Sequence, residues 1–235
     1  YDLMEFQFTG DRHPSLHLTQ TGMEVTGDEK QHLCHRAWEL FRQQVPVPGL
    51  KMHIHKQIPV GAGLGGGSSN AAKTLLALNR LTGETLSAES LHQMAASLGS
   101  DCPVFLHPKP MLARGRGEQL QQRSIDMRSW YLVLLHPGFG ISTAEAYRHV
   151  KPDNSRPALE SLLDAPWDRW RETVENDFEA SLFPVYPRLA EIKSALYEAG
   201  ATYAAMSGSG ASMYGIFHEK PGLPDELASL RLWEG

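Results

Sequence analysis

The sequence predicts an α+β fold, and three observations carry that expectation. Strand-like runs of period two open the chain and recur late in it, with a block of helical patterns between them, so the order is not a regular βαβ alternation. The chain has 235 residues, 41% of them hydrophobic, enough for one large domain or two modest ones with ample core. No internal repeat, low-complexity segment or clear linker interrupts it.

Residues 3–9 and 16–19 read as strands, separated by Gly10 and Pro14. A helix is expected from about Glu29 to Val45, with Leu33, Ala37, Leu40 and Phe41 on one face, ended by Pro46 and Pro48. Residues 52–58 form a strand that feeds a glycine-rich loop. Ser68 or Ser69 is the expected N-cap of a helix running to Leu81, and Gly83 is its stop. Ser87 starts a further helix that ends at Leu98-Gly99, after which a short loop presents Ser100-Asp101-Cys102-Pro103. Residues 111–122 read as a hairpin around Arg114-Gly115-Arg116-Gly117, and residues 130–136 as a buried strand. Ser142-Thr143-Ala144-Glu145 has the spacing of a capping box. Helices are expected at 156–163, 167–175 and 185–199, the last ended by Gly200. Strands at 203–206 and 213–217 flank a second glycine turn, Ser207-Gly208-Ser209-Gly210-Ala211-Ser212.

Bulk properties narrow the function. Lys and Arg number 22 against 27 Asp and Glu, and the net charge of -5 argues against broad nucleic-acid or anionic-membrane binding. Phosphate recognition must then be local. Two cysteines, Cys34 and Cys102, suggest a reducing compartment without a disulfide framework. No signal peptide or long apolar run is visible, which makes the cytoplasm the expected location. His53 and His55 alternate on a strand with no third ligand at a suggestive spacing, so no metal ligands are assigned. Cys102, Trp167 and Trp170 read as packing residues, and Arg114 and Arg116 as a solvated hairpin.

The most informative stretch is Pro59-Val60-Gly61-Ala62-Gly63-Leu64-Gly65-Gly66-Gly67-Ser68-Ser69, with five glycines among residues 61–67. Glycine allows positive φ and close approach of backbone to a ligand. The first turn of the following helix offers free N–H groups and the positive end of a dipole, which together suit a phosphate. A Walker loop would need Lys-Ser/Thr after Gly66, where Gly67-Ser68 stands. Gly61, Gly63 and Gly66 match the dinucleotide fingerprint, but the acidic residue expected about 20 positions on, at a strand end, is absent. The Val-Ala-Ile-Lys and His-Arg-Asp elements of protein kinases are also absent.

The pattern Pro-x-Gly-x-Gly-Leu-Gly-Gly-Gly-Ser-Ser-x-Ala-Ala resembles the phosphate loop of the GHMP kinase superfamily. Its triple glycine is similar to the branch that phosphorylates the 2-hydroxyl of a diphosphocytidyl methylerythritol in non-mevalonate isoprenoid precursor synthesis. Five more segments resemble that branch in order: Leu98-Gly99-Ser100-Asp101-Cys102-Pro103-Val104-Phe105, Arg116-Gly117-Glu118, the run from His136-Pro137 through Ser142-Thr143 to Tyr147, Asn176-Asp177-Phe178-Glu179, and Met206 to Ser212. The likeness spans about residues 50 to 217.

The resemblance implies two α+β domains, at 1–125 (ATP-binding) and 126–235 (substrate-binding), with the active site in the cleft between them. It implies ATP and Mg²⁺ as cofactors and a cytidylyl sugar alcohol as acceptor. Residues 59–69 would cradle the ATP phosphates, with Ser68 or Ser69 adding a hydroxyl to a phosphate or to Mg²⁺. Asp101 is the implied catalytic base; from spacing alone it is an N-cap of the turn at 102–106. Gly208, Ser209 and Gly210 line the acceptor site or are simply a hairpin loop, and Thr143 contacts the acceptor or caps a helix. The family's opening Lys-Ile-Asn-Leu strand and its downstream Tyr-His pair have no counterpart here, and the chain begins at Tyr1, so a preceding segment is expected. The alternatives are a nucleotide-binding protein without catalysis or a sister GHMP small-molecule kinase.

Overall fold

The computed structural model describes residues 1–10, 14–24, 29–151 and 155–235. The chain divides into two compact units, Tyr1–Val60 with Gly65–Ile125, and Gly61–Leu64 with Asp126–Gly235. Among the described residues no helix is long and apolar enough to cross a membrane.

The first unit contains β1 (Leu3–Phe8), β2 (Leu16–Gly22), α1 (Leu33–Arg42), β3 (Leu50–Lys56), α2 (Gly66–Leu81), α3 (Ala88–Leu98), β4 (Met111–Arg114) and β5 (Gln119–Gln122). Short 3₁₀ turns stand at Glu29–Gln31 and Pro103–Leu106. The helix expected from residue 29 therefore begins properly only at Leu33. Strand β3 is central, antiparallel to β1 and parallel to β2. Alternation sends Leu50, Met52 and Ile54 into a core with Phe41 of α1, Leu75 and Leu78 of α2, and Leu91 and Leu98 of α3. The opposite face carries His53 and His55, whose rings meet the hydroxyls of Thr19 and Thr21 at 2.8 to 3.0 Å. These are cross-strand pairs on a solvated face, and among the described residues no group of three or more His, Cys, Asp or Glu is placed to hold a metal ion.

The second unit contains β6 (Tyr131–Leu135), α4 (Thr143–His149), α5 (Leu159–Leu163), α6 (Trp167–Thr173), α7 (Glu179–Leu182), α8 (Pro187–Glu198), β7 (Tyr203–Met206), β8 (Met213–Phe217), α9 (Asp225–Ser229) and β9 (Arg231–Glu234). Its antiparallel sheet has the order β7-β8-β6-β9. One face, with Val133, Leu135 and Met213, packs on Leu189, Ile192 and Leu196 of α8. The other face holds Tyr203, Ala205 and Ile216 against Trp170, with Trp130 and Trp167 beside them. Strand β7 is thus buried on both faces although it stands at the sheet edge.

Two capping expectations are corrected. Helix α2 is capped by Gly65 in the left-handed conformation with no side-chain bond, so Ser68 and Ser69 lie inside its first turn. At α4, Ser142 accepts the Glu145 N–H at 3.2 Å, but the Glu145 carboxylate turns away to the Tyr186 hydroxyl, so only half of a capping box forms. Helices α7 and α9 and strand β9 were not expected. Each has four or five residues, too few for a periodicity to register.

Candidate active site

The first glycine loop follows from the local geometry of β3. After Lys56 the chain reaches Ile58-Pro59-Val60 and then turns through Gly61, Gly63 and Gly65, all at positive φ. Two of these positions admit no side chain. At Gly63 (φ 70°) a Cβ would collide with the Ser207 carbonyl oxygen, and at Gly65 (φ 63°) it would lie 2.6 Å from the Phe105 ring. Gly67 differs. Its φ is ordinary, it is exposed, and a Cβ there would meet only Leu33 at 3.8 Å. Packing within the protein supplies no reason for glycine at 67.

The amides in this stretch are left unpaired in a systematic way. With Gly65 as cap, the Ser69 N–H bonds the Gly65 carbonyl at 2.8 Å, while the N–H groups of Gly66, Gly67 and Ser68 have no intrahelical acceptor and no side-chain cap. The preceding segment, Gly61–Leu64, uses its carbonyls within the second unit. The Gly61 oxygen accepts from Ile141 N–H (2.9 Å) and Ala211 N–H (3.1 Å), and the Ala62 oxygen accepts from Ser212 N–H (3.0 Å). The Gly63 oxygen accepts from Ser207 Oγ at 2.8 Å. In a trans peptide the next N–H points opposite to the carbonyl, so the amides of Ala62, Gly63 and Leu64 face away from these partners. The unpaired N–H groups in the first turn of α2 have the chemistry that suits an anion.

Under the entry to this loop lies a buried ion pair that sequence reasoning missed. Asp2 Oδ2 accepts from Lys56 Nζ at 2.5 Å and from Asn70 Nδ2 at 2.8 Å. Its Oδ1 accepts the Gln57 and Ile58 N–H groups, each at 2.8 Å. The Asp2 side chain is 1% exposed and that of Lys56 7%. Burial pushes the Asp2 carboxyl up, but the Ile58 amide, Lys56, the Gln57 amide and Asn70 together hold it below the usual carboxylate range. Asp2 pairs with residues 54 and more positions away, which no local pattern announces.

Asp101 stands in a loop held by several contacts, and among the described residues its carboxylate has no hydrogen-bond or ion-pair partner. The Cys102 N–H bonds the Gly99 carbonyl at 3.1 Å. The Phe105 ring lies on Gly65, and Lys73 Nζ donates to the Phe105 carbonyl at 3.0 Å. On the hairpin side, Gly117 sits so close to the Ser100 carbonyl that no side chain fits between them. These contacts bring the Asp101 loop to the start of α2. The capping expectation is overturned: the N-cap of the Pro103–Leu106 turn is Cys102, without a side-chain bond, and Asp101 is exposed with no hydrogen bond or ion pair among the described residues. Both thiols are free and buried. Burial pushes Cys34 up to about 12 and raises Cys102 as well.

Gly208, Ser209 and Gly210 form the loop of the β7–β8 hairpin, so the hairpin expectation holds, and this same loop packs on the tip of the first glycine loop. Thr143 is the first residue of α4 and exposed. Ser142 is the cap, so the capping role expected for Thr143 is corrected.

Residues 32–109 match the family model "GHMP kinases N terminal domain", and residues 152–229 match "GHMP kinases C terminal". A 4-diphosphocytidyl-2-C-methyl-D-erythritol kinase from Parabacteroides distasonis is 38% identical over 93% of this chain and 81% of its own length. A relative of the same name from Azobacteroides pseudotrichonymphae is 40% identical over 87% of this chain and 77% of its own. A crystal structure of 4-(cytidine 5'-diphospho)-2C-methyl-D-erythritol kinase superposes with a TM-score of 0.77 at 29% identity, covering 100% of this chain and 85% of that one. Homoserine kinase from Cytophaga hutchinsonii, at 16% identity and a TM-score of 0.70, shares the fold. The fold is that of a GHMP kinase. Within that class the chain belongs to the 4-diphosphocytidyl-2-C-methyl-D-erythritol kinase family.

Proposed function

We propose that this protein transfers the γ-phosphoryl group of ATP to the 2-hydroxyl of 4-diphosphocytidyl-2-C-methyl-D-erythritol. The observation that carries the reading is the unpartnered Asp101 carboxylate, held beside the uncapped N-terminus of α2. Residues 59–69 hold the ATP phosphates through the outward amides, and Gly67 leaves room for phosphate oxygens against the backbone. The acceptor hydroxyl oxygen attacks the γ-phosphorus, its proton passes to Asp101, and the bond from that phosphorus to the bridging oxygen of ADP breaks. Thr143, Gly208, Ser209 and Gly210 contact the acceptor.

Among the described residues no cluster of three or more acidic, His or Cys side chains forms a cation cage. A Mg²⁺ held mainly by phosphates and water needs only one or two protein oxygens. A hydroxyl of Ser68 or Ser69 would fit that role, and the ion would supply neutralisation of the phosphate charge. We place the enzyme in the cytoplasm, in keeping with two free, buried cysteines.

The test is ADP release with ATP, Mg²⁺ and the cytidylyl acceptor. Turnover with this acceptor, abolished by Asp101→Asn while ATP still binds, supports the reading. Turnover only with homoserine or mevalonate reassigns the chain to a sister kinase. ATP binding without any ADP release overturns catalysis.

A further inference from the structure

Strand β7 stands at the edge of its sheet, with β8 as its one neighbour. Ser207 N–H bonds the Ser212 carbonyl at 2.8 Å, so the 207–212 pair is the hydrogen-bonded one. The adjacent pair, Met206 and Met213, is then non-hydrogen-bonded, and both backbone groups of Met206 point away from β8. Among the described residues no further strand meets them. Glu179 and Asn176 stand there instead. Glu179 Oε1 accepts the Met206 N–H at 2.7 Å, and Asn176 Nδ2 donates to the Met206 carbonyl at 2.8 Å. The same amide nitrogen donates to the Gly208 carbonyl at 2.8 Å, inside the second glycine turn.

The two clamping residues are themselves fixed. Asn176 Oδ1 accepts the Phe178 N–H at 3.0 Å, which settles the orientation of the amide. Glu179 Oε2 accepts from Lys193 Nζ of α8 at 2.5 Å. Glu179 is 7% exposed. Lys193 is half-buried, and a pair that has lost part of its solvation is a poor source of stability compared with apolar packing, so its presence here argues for geometric definition.

We infer that Asn176 and Glu179, with Lys193 behind them, are positioning residues that set the second glycine turn. They act as two side-chain links in place of a missing strand. Through Ser207 Oγ on the Gly63 carbonyl, the same clamp fixes the tip of the first glycine loop. Neither residue need touch substrate; each acts through backbone that does. This rests on the kinase reading given above.

The experiment combines hydrogen exchange with steady-state kinetics on Asn176→Ala, Glu179→Ala and Glu179→Gln. In Asn176→Ala and Glu179→Ala, amide exchange at 206–210 accelerates at least tenfold while that of β6 stays unchanged. The kcat per folded molecule falls on the order of 10²-fold, the scale expected for misplaced reacting groups. Glu179→Gln keeps an acceptor for the Met206 N–H and recovers most of the rate, so the idea does not hang on a variant that misfolds. Uniform loosening of the whole unit, with unchanged kcat per folded molecule, would overturn the inference and leave these residues merely structural. Should the wild type show no kinase activity, the exchange measurement still decides the clamp independently.

Discussion

Asp2 and Lys56 form a buried ion pair at 2.5 Å beneath the first glycine loop, 54 positions apart in the chain. Glu179 and Lys193 form its counterpart beside the second loop, also at 2.5 Å. Asp2 also accepts two backbone N–H groups and Glu179 one, and an asparagine stands beside each pair, Asn70 donating to Asp2 itself and Asn176 to the Met206 carbonyl. Each glycine segment is flexible by composition, and each is anchored by a carboxylate–lysine–asparagine set that is not.

Asp2→Asn turns an amide NH₂ toward Lys56 and Asn70 and leaves a buried ammonium uncompensated. Loss of one partner of such a pair costs about 3–5 kcal/mol, read as a fall in the melting temperature. The acid limb tests the charge itself. Because the folded Asp2 carboxyl lies below its ordinary value of 3.8, its contribution is fully present above that value and lost as pH falls through the lower folded one. Wild-type stability should therefore decline over that acidic window more steeply than that of Asp2→Asn. Parallel acid limbs would show that the pair contributes nothing.

Gly63→Ala and Gly67→Ala should behave oppositely. The first forces a side chain into the Ser207 carbonyl at positive φ and should lower the melting temperature. The second fits, and alanine is the better helix former by up to ~1 kcal/mol, so stability should hold or rise. Its ATP affinity should nonetheless weaken roughly tenfold or more, equivalent to at least about 1.4 kcal/mol. Calorimetric titration with ATP decides; unchanged affinity in Gly67→Ala removes the backbone cradle from the mechanism.

Asp101→Asn keeps the loop, since among the described residues the Asp101 side chain makes no hydrogen bond. The melting temperature and ATP affinity should stay near wild type while kcat drops by about 10²–10⁴, the usual worth of a positioned base. A large loss of stability instead would assign the residue to the scaffold.

Cys34 and Cys102 are both fully buried, with thiols raised by burial, Cys34 to about 12. Neither should react with a thiol-directed reagent near pH 7 until the protein unfolds, since the thiolate is the reactive form. Absorbance titration under native and denaturing conditions measures this. Prompt labelling of Cys102 in the native protein would show that the Asp101 loop opens.

By itself the sequence determined the repeating elements and the chemistry of the loops. Period-two and 3.6-residue patterns placed β1, β3, α2, α3, β7 and β8 because each is long or apolar enough to announce which face it buries. The glycine run was legible because positive φ and close backbone approach restrict residue type locally, whereas Asp101 was singled out only by the family resemblance. Tertiary structure decided the rest. That Gly65 and not a serine caps α2 depends on where the chain takes its left-handed turn, which Phe105 packed against Gly65 helps to fix. That Asp101 caps nothing depends on how Phe105 and Gly117 seat its loop. The carboxylates that hold both glycine segments, Asp2 and Glu179, join partners that are remote in sequence. A hydrogen bond to a distant backbone amide leaves no periodicity and no spacing, so only folding reveals it.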